Sequence, residues 1–312
     1  LYPDQDLKPG DPLHWTGIDQ TWNYQCAECH STNLRKGYDA AMRTYKTTWA
    51  EADVSCEACH GPGSRHVEWA KAGGKSGTDA SRGLAVSLRS TGTWAWDAAA
   101  GKPARAGDSR ADVEVEACGR CHARRGVLTE EYAYGEPLLA THAPALLTEG
   151  LYYPDGQIQD EVFEYGSFRQ SRMFQAGVGC SDCHEPHSLE LRAEGDALCG
   201  RCHSPAKFET SAHTGHAVAP VGAPTVVGCV DCHMPERTYM GVDRRGDHSL
   251  RIPRPDLTVR IGTPNACASC HADKPASWAA AAVERWHGPV DGERHYGEVF
   301  HAARGGDVAV GP

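Results

Sequence analysis

The stretch Cys180 to His203, CSDCHEPHSLELRAEGDALCGRCH, contains one spelling twice: Cys180-Ser-Asp-Cys183-His184 and Cys199-Gly-Arg-Cys202-His203. Toward the amino end the same Cys-x-x-Cys-His pattern recurs at Cys26/Cys29/His30, Cys56/Cys59/His60 and Cys118/Cys121/His122. Toward the carboxyl end it recurs at Cys229/Cys232/His233 and Cys267/Cys270/His271. The seven sites consume all 14 cysteines. With 17 His in 312 residues, seven His in succession after seven pairs would arise by composition about once in a billion trials.

Chemistry explains the spacing. Two thiols three residues apart can bond the two vinyl-derived carbons of one haem, and the next imidazole then reaches the iron as proximal ligand. Disulfides would be indifferent to the following residue. Zinc sites would join pairs of pairs with no fixed His, and a thioredoxin-like centre needs only one pair. The pattern therefore predicts seven haem c groups. Haem is attached in this way after export, so the chain is expected to be periplasmic or extracellular.

Successive motifs start 30, 62, 62, 19, 30 and 38 residues apart, which is no regular repeat array. The closest two, at Cys180 and Cys199, leave room for one short helix and are expected to hold their haems in near contact. Only 40% of residues are hydrophobic, with 34 Gly and 19 Pro, a balance that favours turns over long elements. The expected fold is a mainly α and irregular multihaem cytochrome c fold with minor β-hairpins, in which the haems form much of the core. Short strand-like pieces fall at Leu84 to Leu88 and Thr93 to Trp96, and LYYPDGQIQDEVFEY, 151 to 165, reads as a hairpin about a Pro-Asp-Gly turn. Ser277 to Gly288 and His295 to Arg304 read as helices. The expected division is a multihaem domain over 1–274 and a C-terminal helical segment over 275–312 that connects to or begins a further helical module.

The net charge of -10, deepened by haem propionates, argues against duplex nucleic acid as a partner. No apolar run approaches bilayer length, the longest being Ala279 to Val283, so the chain is not expected to span a membrane. It starts at Leu1 within what reads as a loop, as a processed or trimmed chain would.

Ten further His remain. A His a few residues after a proximal His lies on the same face of that macrocycle, so it must serve a neighbouring haem. On this ground His66 and His187 are candidate distal ligands, with His14, His142, His213, His216 and His248 as further candidates. His287, His295 and His301 read instead as ordinary imidazoles. Met173 is a minor ligand candidate, and Met234 follows His233 too closely to turn back. The eight Trp read as haem-packing residues, and scattered Arg as propionate partners.

The segments CAECHSTNL, CEACHGPGSRH, CSDCHEPHS and CVDCHMPERTYM, followed by DHSLRIPRPDL, resemble the exported multihaem cytochromes of the family that includes the tetrahaem cytochrome of nitrifying bacteria. These proteins are often fused to a C-terminal tetratricopeptide or HEAT-like region. The resemblance runs over about 11 to 304, although this chain lacks the further upstream motif usual in the group. The wider clan holds hydroxylamine oxidoreductase and ammonia-forming nitrite reductase as well as electron carriers, so the resemblance alone does not choose a function.

Two functions follow. In an electron conduit every haem is six-coordinate, closed by a second His. A redox enzyme acting on nitrite or hydroxylamine needs one open iron. The absence of a Cys-x-x-Cys-Lys site and the supply of spare His favour the conduit. Its partners would be redox proteins or other copies of itself, joined head to tail into a filament.

Overall fold

The computed structural model describes residues 5–74, 81–99, 101–217, 227–240, 242–290 and 294–307. Its elements are short, as the glycine and proline content demands. Most helices span one or two turns, and the strands form five two-stranded antiparallel pairs. The fold is thus helical and irregular with small strand pairs, as the composition predicts. None of the described helices is long and apolar enough to cross a membrane.

Contacts divide the chain into two compact units: Leu1–Ser90 with Arg110–Pro144, and Thr91–Ser109 with Ala145–Pro312. In the first, the Ala111–Gly119 helix buries Ala111, Val115 and Ala117, and Leu138 is fully enclosed. The strands Arg125–Val127 and His142–Pro144 pair in the order Arg125↔Pro144 to Val127↔His142. The expected strand at Leu84 to Leu88 does not form. Leu84 N donates to Ser81 O in a turn, and the segment runs on as irregular chain in which Val86 is buried.

The second unit opens with the hairpin of Thr93–Asp97 and Lys102–Ala106, in the region where a strand is expected. Its apolar cluster is Tyr152, Ile158, Val162 and Tyr239, with Leu147 and Leu151 packed against them. The expected hairpin over 151 to 165 shrinks to one bridge, Tyr152↔Ile158, about the Pro154-Asp155-Gly156 turn. The second run bends at Phe163, with φ 60°, into the Glu164–Gln170 helix, because Val162 and Tyr165 turn inward to the core. Gly156 has φ +85°, a conformation that favours glycine, and a Cβ there would lie 2.1 Å from Gln170 Oε1 and displace that side chain.

Three helices close this unit. Pro255–Ile261 starts on a proline and ends at the left-handed Gly262. Ala276–His287 buries Ala279 and Ala282, small residues that let it approach its neighbour closely, and stops at Gly288. Tyr296–Arg304 is capped by the His295 ring, which accepts from Gly297 N. Both segments expected to be helical are helices. Tyr296 Oη donates to Asp155 O, and Arg304 donates to Tyr152 O and Leu147 O, so the carboxyl end is fastened to the turn and core of its own unit.

Candidate haem-binding sites

The motifs lie on short helices or turns, and the one at Cys118 starts at the end of the Ala111–Gly119 helix. In the motifs at Cys26, Cys118, Cys199 and Cys267 the His amide folds back onto the first Cys carbonyl. Such a turn places residues three and four apart as neighbours on one face. No disulfide joins any of the fourteen cysteines.

Thiols of different motifs approach one another. In the first unit Cys29 and Cys121 share a hydrogen bond, which lowers Cys29 to about 6 and pushes Cys121 up. Cys59 also feels Cys118, after burial, which is the larger influence raising it. In the second unit Cys183 lies close enough to Cys199 and Cys202 to be raised further than burial alone raises it, to about 11. Cys199 accepts a hydrogen bond from Cys229, which lowers Cys199 to about 7 and raises Cys229. Cys232 senses Cys267 and Cys270 beyond its burial. Motif contacts therefore run first–third–second in one unit and fourth–fifth–sixth–seventh in the other.

Three expected distal His face proximal His. The rings of His184 and His248 are 6.4 Å apart at 27°, those of His233 and His213 are 6.0 Å apart at 14°, and those of His271 and His216 are 6.1 Å apart at 26°. Two imidazoles bound to one metal through nitrogens about 2 Å away have ring centres about 6 Å apart. The separations and near-parallel planes thus fit two axial ligands on opposite sides of one iron.

Ring hydrogen bonds point the same way. His216 Nδ1 lies 2.7 Å from Thr214 O, and His248 Nδ1 lies 3.0 Å from Gly246 O, each a carbonyl two residues back. His233 Nδ1 lies 2.7 Å from Arg251 O. A proton held at Nδ1 by a carbonyl leaves Nε2 bare for a metal. Burial, and after it the neighbouring His233, lowers the pKa of His203 and His213 and favours their neutral, metal-binding form. The carbonyl partners were not foreseen, though Thr-Gly-His216 and Gly-Asp-His248 carry the signal: a turn that folds each ring back on its own backbone.

The other four candidates lie differently. His66 Nδ1 is 2.8 Å from Arg82 O, with its ring stacked on Trp69 at 5.4 Å. His142 is buried with both nitrogens engaged, Nδ1 with Thr141 Oγ1 at 2.7 Å and Nε2 with Glu28 Oε1 at 3.0 Å. Burial would raise Glu28, but that hydrogen bond and the charges of Arg125 and Lys36 outweigh it and hold the carboxyl at about 2. His14 Nδ1 accepts from Thr16 N, and His187, 78% exposed, lies against Glu185.

Two further features suit a large acidic macrocycle. Nε of Arg105, Arg110 and Arg120 and Nε1 of Trp94 are buried without a protein acceptor, as donors to propionates would be. The polypeptide alone exposes 19392 Å², against about 12,700 Å² expected for a folded monomer of its mass. Large apolar side chains are among the exposed ones, with Trp15 80%, Ile18 74% and Leu146 77% exposed. Flat apolar groups lying over such surface would restore an ordinary balance.

Comparison with known proteins agrees. Residues 12–61 match the family described as cytochrome c554 and c-prime, 173–208 the doubled CXXCH motif, and 207–287 the cytochrome c552 family. No curated protein sequence matches. The fold is similar to that of the outer cell wall cytochrome OcwA, with TM-score 0.56 and 18% identity over 93% of this chain and 72% of that one. An undecahaem cytochrome from the S-layer of Carboxydothermus ferrireducens aligns over 94% of this chain and 53% of its own at 16% identity, but a TM-score of 0.36 adds nothing to the fold assignment. Paired thiols with trailing imidazoles, three matched cytochrome families and a shared cytochrome fold make this chain a multihaem c-type cytochrome, a protein of electron transfer.

Proposed function

We propose that the chain is an exported electron conduit with haem c at all seven motifs. When bound, each haem iron supplies a one-electron carrier. The cysteines fix each macrocycle covalently, and His30, His60, His122, His184, His203, His233 and His271 serve as proximal ligands. His248, His213 and His216 close the sites of His184, His233 and His271, leaving no position there for a substrate. The single observation that carries this reading is the set of three near-parallel imidazole pairs 6.0 to 6.4 Å apart. Thiol contacts between successive motifs support short hops from site to site.

The alternative of an enzyme acting on nitrite or hydroxylamine requires an open iron. Intact mass and ferric spin state decide between them. The conduit reading expects seven added macrocycles and a wholly low-spin ferric spectrum. A high-spin fraction that shifts when nitrite or hydroxylamine is added overturns it. Copies joined head to tail would extend the path beyond one chain, and electron microscopy showing only discrete particles at every concentration would remove that part of the proposal.

A further inference from the structure

Of the seven motifs, the third and the fifth share one spelling, Cys-Gly-Arg-Cys-His. Their arginines make the same contact. Arg120 Nη1 donates to Ala58 O at 2.9 Å, and Arg201 Nη1 donates to Asp182 O at 2.5 Å. Ala58 and Asp182 hold the same place in their own motifs, the residue just before the second Cys. Both carbonyls belong to the open end of a short helical turn, where no backbone N–H remains to bond them.

The linking chain cannot be the common cause. The motifs at Cys56 and Cys118 start 62 residues apart, and those at Cys180 and Cys199 only 19. A 19-residue link confines its ends, whereas a 62-residue link that wanders through the hairpin of Thr93–Asp97 and Lys102–Ala106 does not. What the two pairs share is the guanidinium and the carbonyl it meets. Arg120 is held further by the Tyr132 ring, 3.9 Å away.

We propose that Arg120 and Arg201 are positioning residues that lock two equivalent haem pairs, Cys56 with Cys118 and Cys180 with Cys199, in one mutual orientation. The geometry is repeated once in each compact unit, so each unit carries one fixed pair within which the electron hop is set by a single contact. The hop moves one electron from a reduced to an oxidised site, with no bond made or broken and no further reactant. The inference rests on haem attachment at these four motifs.

The test uses the full holoprotein and its Arg120→Lys, Arg201→Lys and doubly substituted forms, with Arg244→Lys, an exposed partner of Glu236, as control. Lysine keeps the charge but lacks the planar fork. Intact mass reads whether all four motifs are loaded, and wild-type protein lacking macrocycles there would defeat the attachment reading itself. Circular dichroism in the Soret band reads the mutual orientation of neighbouring haems. The expected result is unchanged mass, a weakened Soret couplet in each single variant, difference spectra of the same sign and shape, and their sum in the double variant. A couplet unaltered in both variants, or difference spectra of unlike shape, overturns the proposal. Where a lysine form does not mature, the glutamine form, which keeps a planar donor without charge, is read in the same way.

Discussion

Whether a histidine in this chain can hold a metal turns on which of its nitrogens the backbone occupies. His216 and His248 give Nδ1 to a carbonyl and have a proximal imidazole ring 6.1 and 6.4 Å away, whereas His295 accepts at Nδ1 from Gly297 N and caps a helix. Replacing His248 or His216 by Ala should therefore convert one ferric site from low to high spin, measured by electron paramagnetic resonance. His295→Ala should leave the spin balance alone and cost about 1 kcal/mol through the lost cap, measured by thermal unfolding. The sequence made the motif residues legible because covalent attachment fixes their spacing. It made the candidates His213, His216 and His248 legible as His left over once the seven proximal ligands are assigned. It could not pair them, since His213 and His216, three residues apart, face imidazoles of different motifs. Nor could it reveal that Glu28, inside the first motif, takes both a nitrogen of His142 and the charge of Arg125, because 114 residues separate the carboxyl from the ring.

Among the elements, the Pro255–Ile261 helix shows how charge holds short structure in place. Asp256 in its first turn binds Arg254 through both carboxylate oxygens, and Arg260 one turn on joins Asp256 to Glu298 of the last helix. Burial would raise Asp256, but the hydrogen bonds and charges of Arg254 and Arg260 prevail and keep it below the ordinary 3.8. A carboxyl depressed in the folded state contributes stability above its unfolded value, and that contribution is lost as pH falls through and below 3.8. Asp256→Asn should cost about 0.5 to 1 kcal/mol at neutral pH and flatten the acid-side fall, both read from amide exchange in 255–261. The Pro154-Asp155-Gly156 turn is similarly fastened, by Arg251 Nη1 to Asp155 O at 2.6 Å and by the Tyr296 hydroxyl. Tyr296→Phe should destabilise the second unit by about 1 kcal/mol, checked by denaturant midpoint. Here the sequence showed the turn but not the shortened hairpin, because the second run is claimed by the Tyr152, Val162 and Tyr239 cluster and not by a partner strand.

For the molecule as a whole, the large exposed area and sparse aliphatic interior leave little polypeptide burial to set against the entropy of ordering the chain. A form with all fourteen cysteines changed to Ala should show no cooperative thermal transition, by calorimetry or far-ultraviolet circular dichroism. The close approach of thiols from different motifs bears on how such a chain is made. Cys29 stands by Cys121 and Cys199 by Cys229, each pair within hydrogen-bonding reach in the finished fold. In an oxidising compartment, bare sulfurs at that distance would crosslink the wrong partners and seal both motifs against their porphyrins. Ligating the porphyrins before these distant segments meet would spare the sulfurs that crosslink.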